Sequence, residues 1–320
     1  VGSEMCIRDR GWKEEDLTKP QILIESTYGQ SHPGSAHLLN LAQKASRGAY
    51  EAGGKGALYF ATDICDGMAQ GHDGINYSLP SRDIIADLVE IHANATTFDG
   101  GVFLASCDKS VPALLMAIGR INIPAVFVTG GVMDAGPDLL TLEQIGKYSA
   151  MYERGEITEE QFTYYKHHAC PSCGACSFMG TASTMQIMAE SLGLMLPGTA
   201  LMPATCEDLS VAAEEAGKTA VALAKKGMKA SDIVTLKSFE NAIMVHAAIS
   251  GSTNTLMHLP AIAHEFGIPL DADTFDRMHR GAHYLLNIRP AGASGPRSTS
   301  IMQAAYRASW RKSKTTCISM

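Results

Sequence analysis

The hydrophobic pattern first becomes regular at residues 21–25 (QILIE), a short apolar run that reads as a strand. Helical periodicity over 37–52 follows, stopped by Gly53 and Gly54. Residues 57–62 read as the next strand, which runs into Asp63, Cys65 and Asp66 and a glycine-punctuated loop to Gly74. A helix is predicted over 81–95, with Ser81 as its cap and Asp83 in its first turn. The run 101–105 (GVFLA) reads as a buried strand, and Ser106, Cys107, Asp108 and Lys109 stand at its carboxyl end. A helix with Pro112 in its first turn comes next, then a strand over 124–128 ending at Gly130 and Gly131. Strands alternating with helices predict an α/β fold, a parallel-sheet sandwich with crossover helices.

The second half reads as mostly helical. Residues 140–165 are polar and helical, 170–176 (CPSCGAC) form a loop, and 180–194 and 207–226 are helices. The segment 239–248 leads to Ser250, Gly251, Ser252, Thr253 and Asn254, which open a helix running to Phe266. No short repeat or low-complexity linker interrupts the chain.

Composition narrows the function. The chain has 320 residues, 46% hydrophobic, with a formal net charge of -7. Its mean hydropathy is +0.00 and its pI about 5.9. That balance predicts a soluble protein and gives no electrostatic reason for a nucleic-acid partner. No apolar run reaches membrane-spanning length and no signal peptide is read, so a cytoplasmic protein without membrane attachment is expected. Eight cysteines in this length are too sparse for a disulfide scaffold and suit metal ligands or core thiols.

Four constellations carry candidate chemistry. Asp66 and Asp73 lie in one flexible loop, as carboxylate ligands or as ordinary turn residues beside glycine. Cys107, Asp108 and Lys109 put a soft ligand, a hard ligand and an amine at a strand's carboxyl end, where ligands bind in open α/β sheets. Lys109 is an ion-pair partner of the carboxylates or, if carbamylated, an oxygen ligand. Cys170, Cys173 and Cys176 have metal-ligand spacing, open to half a zinc site, a redox pair or part of an iron–sulfur site. Gly251, Ser252, Thr253 and Asn254 at a helix start suit an anionic substrate oxygen, or cap the helix and no more. A non-catalytic zinc or redox module built on 170–176 is the reading from another class.

Taken together these residues resemble one family, the dihydroxy-acid dehydratases and their sugar-acid relatives, including the phosphogluconate and xylonate dehydratases. The matching stretches are 65–87 (CDGMAQGHDGINYSLPSRDIIAD), 98–117 (FDGGVFLASCDKSVPALLMA), 173–185 (CGACSFMGTASTM) with 190–198 (ESLGLMLPG), and 240–268 (ENAIMVHAAISGSTNTLMHLPAIAHEFGI). The resemblance covers about residues 11–292 and implies a hydro-lyase acting on a small dihydroxy acid, homodimeric at full length. It implies Cys107 and Cys176 as ligands of an iron–sulfur cluster, [2Fe-2S] or [4Fe-4S]. Asp66, Asp108 and carbamylated Lys109 are implied as ligands of Mg2+, with Asp73 a second candidate. Ser252, Thr253 and Asn254 match the substrate-side loop. A further cluster cysteine found in many members has no counterpart in residues 31–34 (SHPG), and Cys65 is its substitute.

The ends depart from this pattern. Residues 1–10 resemble a translated sequencing adapter and are set aside as an assembly artefact. From Ala293 the composition turns to Ser, Arg and Lys without periodicity, and a shifted reading frame restores a patterned peptide (EWPAEYFYYAGGVPGIMEEIKDYLHLD). Residues 293–320 are therefore expected to be a frame-shifted, non-native tail, and 11–292 the cluster- and metal-binding domain. The family's β-rich C-terminal domain, which the resemblance implies supplies a serine base and a glutamate ligand, is expected to be absent. The chain alone is then expected to be inactive, with an exposed apolar patch where that domain docks.

Overall fold

The structure, a computed structural model, describes residues 11–283 and 285–290. The expected adapter segment 1–10 and the expected tail 293–320 lie outside the described residues. Four parallel strands form one sheet in the order β2-β1-β3-β4, where β1 is Gln21–Ser26, β2 Lys55–Phe60, β3 Gly100–Ala105 and β4 Ala125–Thr129. The helices between and after them are α1 (Leu38–Glu51), α2 (Asp66–Ala69), α3 (Ser78–Ala95), α4 (Ser110–Ile121), α5 (Ile145–Glu153), α6 (Glu159–His168), α7 (Thr181–Ser191), α8 (Glu207–Lys226), α9 (Ala230–Ile233), α10 (Leu236–Ile249), α11 (Thr255–Glu265) and α12 (Ala272–Gly281). The α/β parallel-sheet expectation is borne out.

Strand alternation divides the core in two. Ile22, Ile24, Val102, Leu104, Val126 and Val128 point to one face, where they pack on α1 and α8. Leu23, Phe103, Ala105 and Phe127 point to the other, against α3, α4, α7, α10 and α11. β3 is buried along its whole length because it is central, whereas edge strand β2 is only half-buried. α1 and α8 touch through glycine. A Cβ on Gly48 would collide with the Glu214 carbonyl, and one on Gly217 with the Ala45 carbonyl. Lacking side chains at the crossing, the two backbones approach directly.

Some elements differ from expectation. α3 begins at Ser78, and the Ser81 hydroxyl donates to the Ser78 carbonyl at 2.6 Å instead of capping. Pro80 fits there because the first N–H groups of a helix have no intrahelical acceptor to lose. The expected loop 66–74 holds the short helix α2, and a 3-10 turn starts at Asp73. The polar stretch 140–165 is split into α5 and α6 around Gly155, whose φ of +70° ends α5. α9 and α12 were not anticipated. On α3, Ile84, Leu88 and Ile91 form an exposed apolar ridge. Among the described residues no helix is long and apolar enough to cross a membrane.

Candidate functional site

All four strands end at the same edge, and their trailing loops carry the chemistry. The chain's order turns around between β1 and β3, so the loops after those strands face each other at a topological switch point. The loop after β1 carries His32, that after β2 carries Asp63, Cys65 and Asp66, and that after β3 carries Cys107, Asp108 and Lys109.

The predicted metal residues converge. Lys109 Nζ donates to Asp66 Oδ2 at 2.7 Å and lies 3.8 Å from Asp108 Oδ2. Asp66 Oδ1 accepts from Ser78 Oγ at 2.6 Å, which orients the carboxylate from the start of α3. Burial pushes the Asp108 carboxyl up to about 6, opposed by the Lys109 ammonium and reinforced by the Asp66 charge. The Ala182 backbone N–H, in the first turn of α7, also favours the charged form of Asp108. Asp73 is exposed and does not line the cavity that Asp66 and Asp108 share.

The cysteines separate by position. Cys65, Cys107 and Cys176 line one cavity of about 590 Å³ together with Asp66 and Asp108. Cys170 and Cys173 do not line it, so only the last cysteine of the triplet reaches the site. The loop that delivers Cys176 is held by backbone bonds: Ala175 N–H to Gly131 O at 3.0 Å, Met133 N–H to Ala175 O at 2.8 Å and Gly174 N–H to Pro33 O at 3.2 Å. Gly174 has φ +111° and a Cβ there would meet the Val132–Met133 backbone, so the close approach requires glycine. Burial, and then the charge of Asp108, push the thiols of Cys107 and Cys176 well up, and burial also raises Cys65.

The far wall is built by two helix starts. Ser252 and Thr253 line the cavity ahead of α11, and Thr181 lines it at the start of α7. Ser252 Oγ and Thr181 Oγ1 are 2.9 Å apart, and Asn254 Nδ2 donates to Thr181 Oγ1 at 2.9 Å. The Ser252 N–H donates to Thr184 Oγ1 at 3.0 Å, so this N–H, expected to be free for a ligand, is already engaged. Asn254 does not line the cavity and acts as the brace between the two helix starts.

Several residues here were not singled out from sequence. Ser78 and Thr181 look like ordinary helix-start residues there. His258 is buried on α11, and burial, then the nearby charges of Arg82 and Lys109, lower it to about 3, so it is neutral. His32 and Asp63 meet Cys107, with one ligand atom from each within 4.8 Å of the others. Only a motif search across three different loops could have linked these.

The donor set is of two kinds. Three thiols suit iron, and the carboxylates of Asp66 and Asp108 suit a hard cation such as magnesium. The thiols are held protonated by burial, so a cation that binds them must displace protons. The residues present fit both groups.

The sequence profile described as dihydroxy-acid/6-phosphogluconate dehydratase N-terminal matches residues 19–299. The chain is 42% identical over 299 residues to "Dihydroxy-acid dehydratase 1" of Methanosarcina acetivorans, covering 91% of this chain and 53% of that protein. It is 42% identical over 285 residues to "Dihydroxy-acid dehydratase" of Halothermothrix orenii, with 88% and 52% covered, and 39% identical over 285 residues to that of Pyrococcus abyssi, with 88% and 52%. The chain thus spans about half the length of the curated relatives it matches. With a profile match over most of its length and a cavity built from the matching stretches, the chain belongs to the dihydroxy-acid/6-phosphogluconate dehydratase N-terminal family.

Proposed function

We propose that this chain is the cofactor-holding half of a hydro-lyase that converts a 2,3-dihydroxy carboxylic acid to a 2-keto acid, of the type used in branched-chain amino-acid biosynthesis. Sugar acids of the xylonate or phosphogluconate type are the alternative substrates. One observation carries the reading: Cys65, Cys107 and Cys176 share a cavity with Asp66 and Asp108. In this reading the three thiolates hold an iron–sulfur cluster, and Asp66, Asp108 and Lys109 hold Mg2+. Bound there, the two groups would supply Lewis acidity to a leaving hydroxyl and to the substrate's other oxygens.

The chain's own residues orient and balance charge. Ser78 fixes one face of Asp66, and Lys109 offsets one charge of the two carboxylates as long as it remains an amine. Carbamylation would replace that buried cation by an anion, which two flanking carboxylates tolerate only around a divalent ion. The starts of α7 and α11 bring backbone dipoles and the hydroxyls of Thr181, Ser252 and Thr253 to the far wall, suited to a substrate carboxylate. Among the described residues lining the cavity there is no histidine or lysine to take the proton from carbon 2. In this reading the base belongs to a C-terminal domain, and residues 11–292 alone are inactive.

Anaerobic reconstitution with iron, sulfide and magnesium tests the proposal. Visible charge-transfer absorption, lost in Cys107→Ser and Cys176→Ser, is the expected result. A colourless protein holding one zinc through Cys170, Cys173 and Cys176 would instead establish a zinc module. Product assays of the full-length protein on branched-chain dihydroxy acids and on sugar acids separate the substrates.

A further inference from the structure

Beside Cys107 lies a buried pair, His32 and Asp63, that the reaction scheme leaves unused. His32 is 2% exposed and Asp63 6%. His32 Nδ1 accepts the Gly34 N–H at 3.0 Å. The turn that presents this N–H is closed by the N–H groups of Ser35 and Ala36, both 2.9 Å from His32 O. With Nδ1 as the acceptor, the proton of the neutral ring sits on Nε2. Nε2 lies 3.3 Å from Asp63 Oδ1, yet makes no hydrogen bond to it. Asp63 Oδ1 accepts from Ser35 Oγ at 3.3 Å, while Asp63 Oδ2 has no partner among the described residues. A ring nitrogen of His32, an oxygen of Asp63 and Cys107 Sγ lie within 4.8 Å of one another.

A polar atom left without a hydrogen bond at this depth is destabilising, because it has lost water and gained no partner. Two atoms without a hydrogen-bond partner, both beside one thiol, remain available to a sulfur that changes its charge. Three donor atoms so close also suit a single metal ion, but the ring tautomer opposes this. A metal on Nε2 would move the proton to Nδ1, against the Gly34 N–H. The pair is better suited to giving a hydrogen bond than to ligating.

We propose that His32 and Asp63 are positioning residues for the iron–sulfur group. His32 Nε2–H donates to the Cys107 sulfur once that sulfur is a thiolate ligand, and Asp63 sets the local negative charge beside it. The inference rests on the cluster reading above. A hydrogen bond to a ligand sulfur stabilises the more negative, reduced cluster, and a neighbouring carboxylate destabilises it. The two residues therefore pull the reduction potential in opposite directions.

The test is a redox titration of the anaerobically reconstituted 320-residue chain, followed by visible circular dichroism. His32→Leu is expected to lower the midpoint potential and Asp63→Asn to raise it. His32→Gln keeps an N–H donor and is expected to stay near the wild type, a rescue that a purely packing role does not predict. A second readout needs no variant. In reduced, 15N-histidine-labelled wild type, pulsed electron paramagnetic resonance is expected to show one weak nitrogen coupling transmitted through a hydrogen bond. A strong coupling means direct ligation and overturns the donor role, as does no coupling at all. Potentials unmoved in both His32→Leu and Asp63→Asn overturn this inference alone. Failure of the wild type to assemble any cluster overturns it together with the reading beneath it.

Discussion

The α1–α8 side of the sheet and the carboxyl edge of the same sheet are built on opposite terms. On the first, aliphatic side chains meet aliphatic side chains, and glycines let two backbones touch. On the second, within a few residues of the strand ends, buried thiols, carboxylates, a lysine and a histidine stand together, with His32 Nε2 and Asp63 Oδ2 lacking hydrogen-bond partners. The first region contributes stability and the second spends some of it. Close packing behind the strands is what lets unfavourable groups be held in place at their ends.

The sharpest way to break this contrast is to damage the quiet side. Gly217→Val puts a branched side chain into the Ala45 carbonyl, where backbone cannot easily yield. A loss of roughly 3 kcal/mol or more, read by chemical denaturation, is expected. If the variant folds as well as the wild type, the α1–α8 crossing is not the tight contact described.

Next in size is a change at the other region with the reverse character. Asp66→Asn removes one of the clustered charges, so stability is expected to hold or rise. Mg2+ affinity, read by calorimetry on the reconstituted protein, is expected to fall about 100-fold, roughly 2.8 kcal/mol at 1.4 kcal/mol per factor of ten. Equal losses of stability and affinity would erase the distinction between the regions.

A third test asks whether buried ionisable groups behave alike away from the edge. Glu25 is buried in β1, and burial raises its carboxyl to about 8. Its Oε2 is 3.0 Å from His92 Nδ1, and burial lowers His92, so a protonated carboxyl donates to a neutral ring. The folded state holds the proton more tightly than the unfolded chain. This stabilisation is complete below the ordinary carboxyl value of 4.5 and is lost as pH rises to about 8. The wild-type Tm is therefore expected to fall between pH 5 and 8, and Glu25→Gln to flatten that slope. A slope unchanged in the variant would mean that Glu25 is ionised in the fold.

The smallest effect lies at the periphery of both regions. Asp271 caps α12 by accepting the Thr274 N–H at 2.8 Å. Asp271→Ala is expected to cost about 1 kcal/mol of stability and to leave cofactor loading untouched.

How much of this was legible depended on the range of the signal. β1, β3 and β4 follow from short apolar runs, and the cavity's thiols and carboxylates stand in motifs next to strand ends. The start of α3 did not, because Ser81 offers a cap-like residue while Pro80 conceals that the helix has already begun. The split between α5 and α6 turns on one left-handed glycine in an otherwise uniform polar stretch. The restriction of the cysteine triplet to Cys176 alone, and the meeting of His32, Asp63 and Cys107, depend on how loops from separate strands pack. Local periodicity carries nothing about that.

The backbone bonds that hold residues 174–176 have a further consequence for metal loading. A zinc finger peptide spends its binding free energy on ordering the chain. Here Gly131, Met133 and Pro33 have already fixed the loop, so little chain entropy remains to be lost when Cys176 takes a ligand. Affinity is then governed by proton displacement from buried thiols, and uptake should steepen with pH. In the proposed reading, stripping the metal should leave a folded chain that can be filled again, with its vulnerability in the chemistry of the unliganded sulfurs and not in the fold.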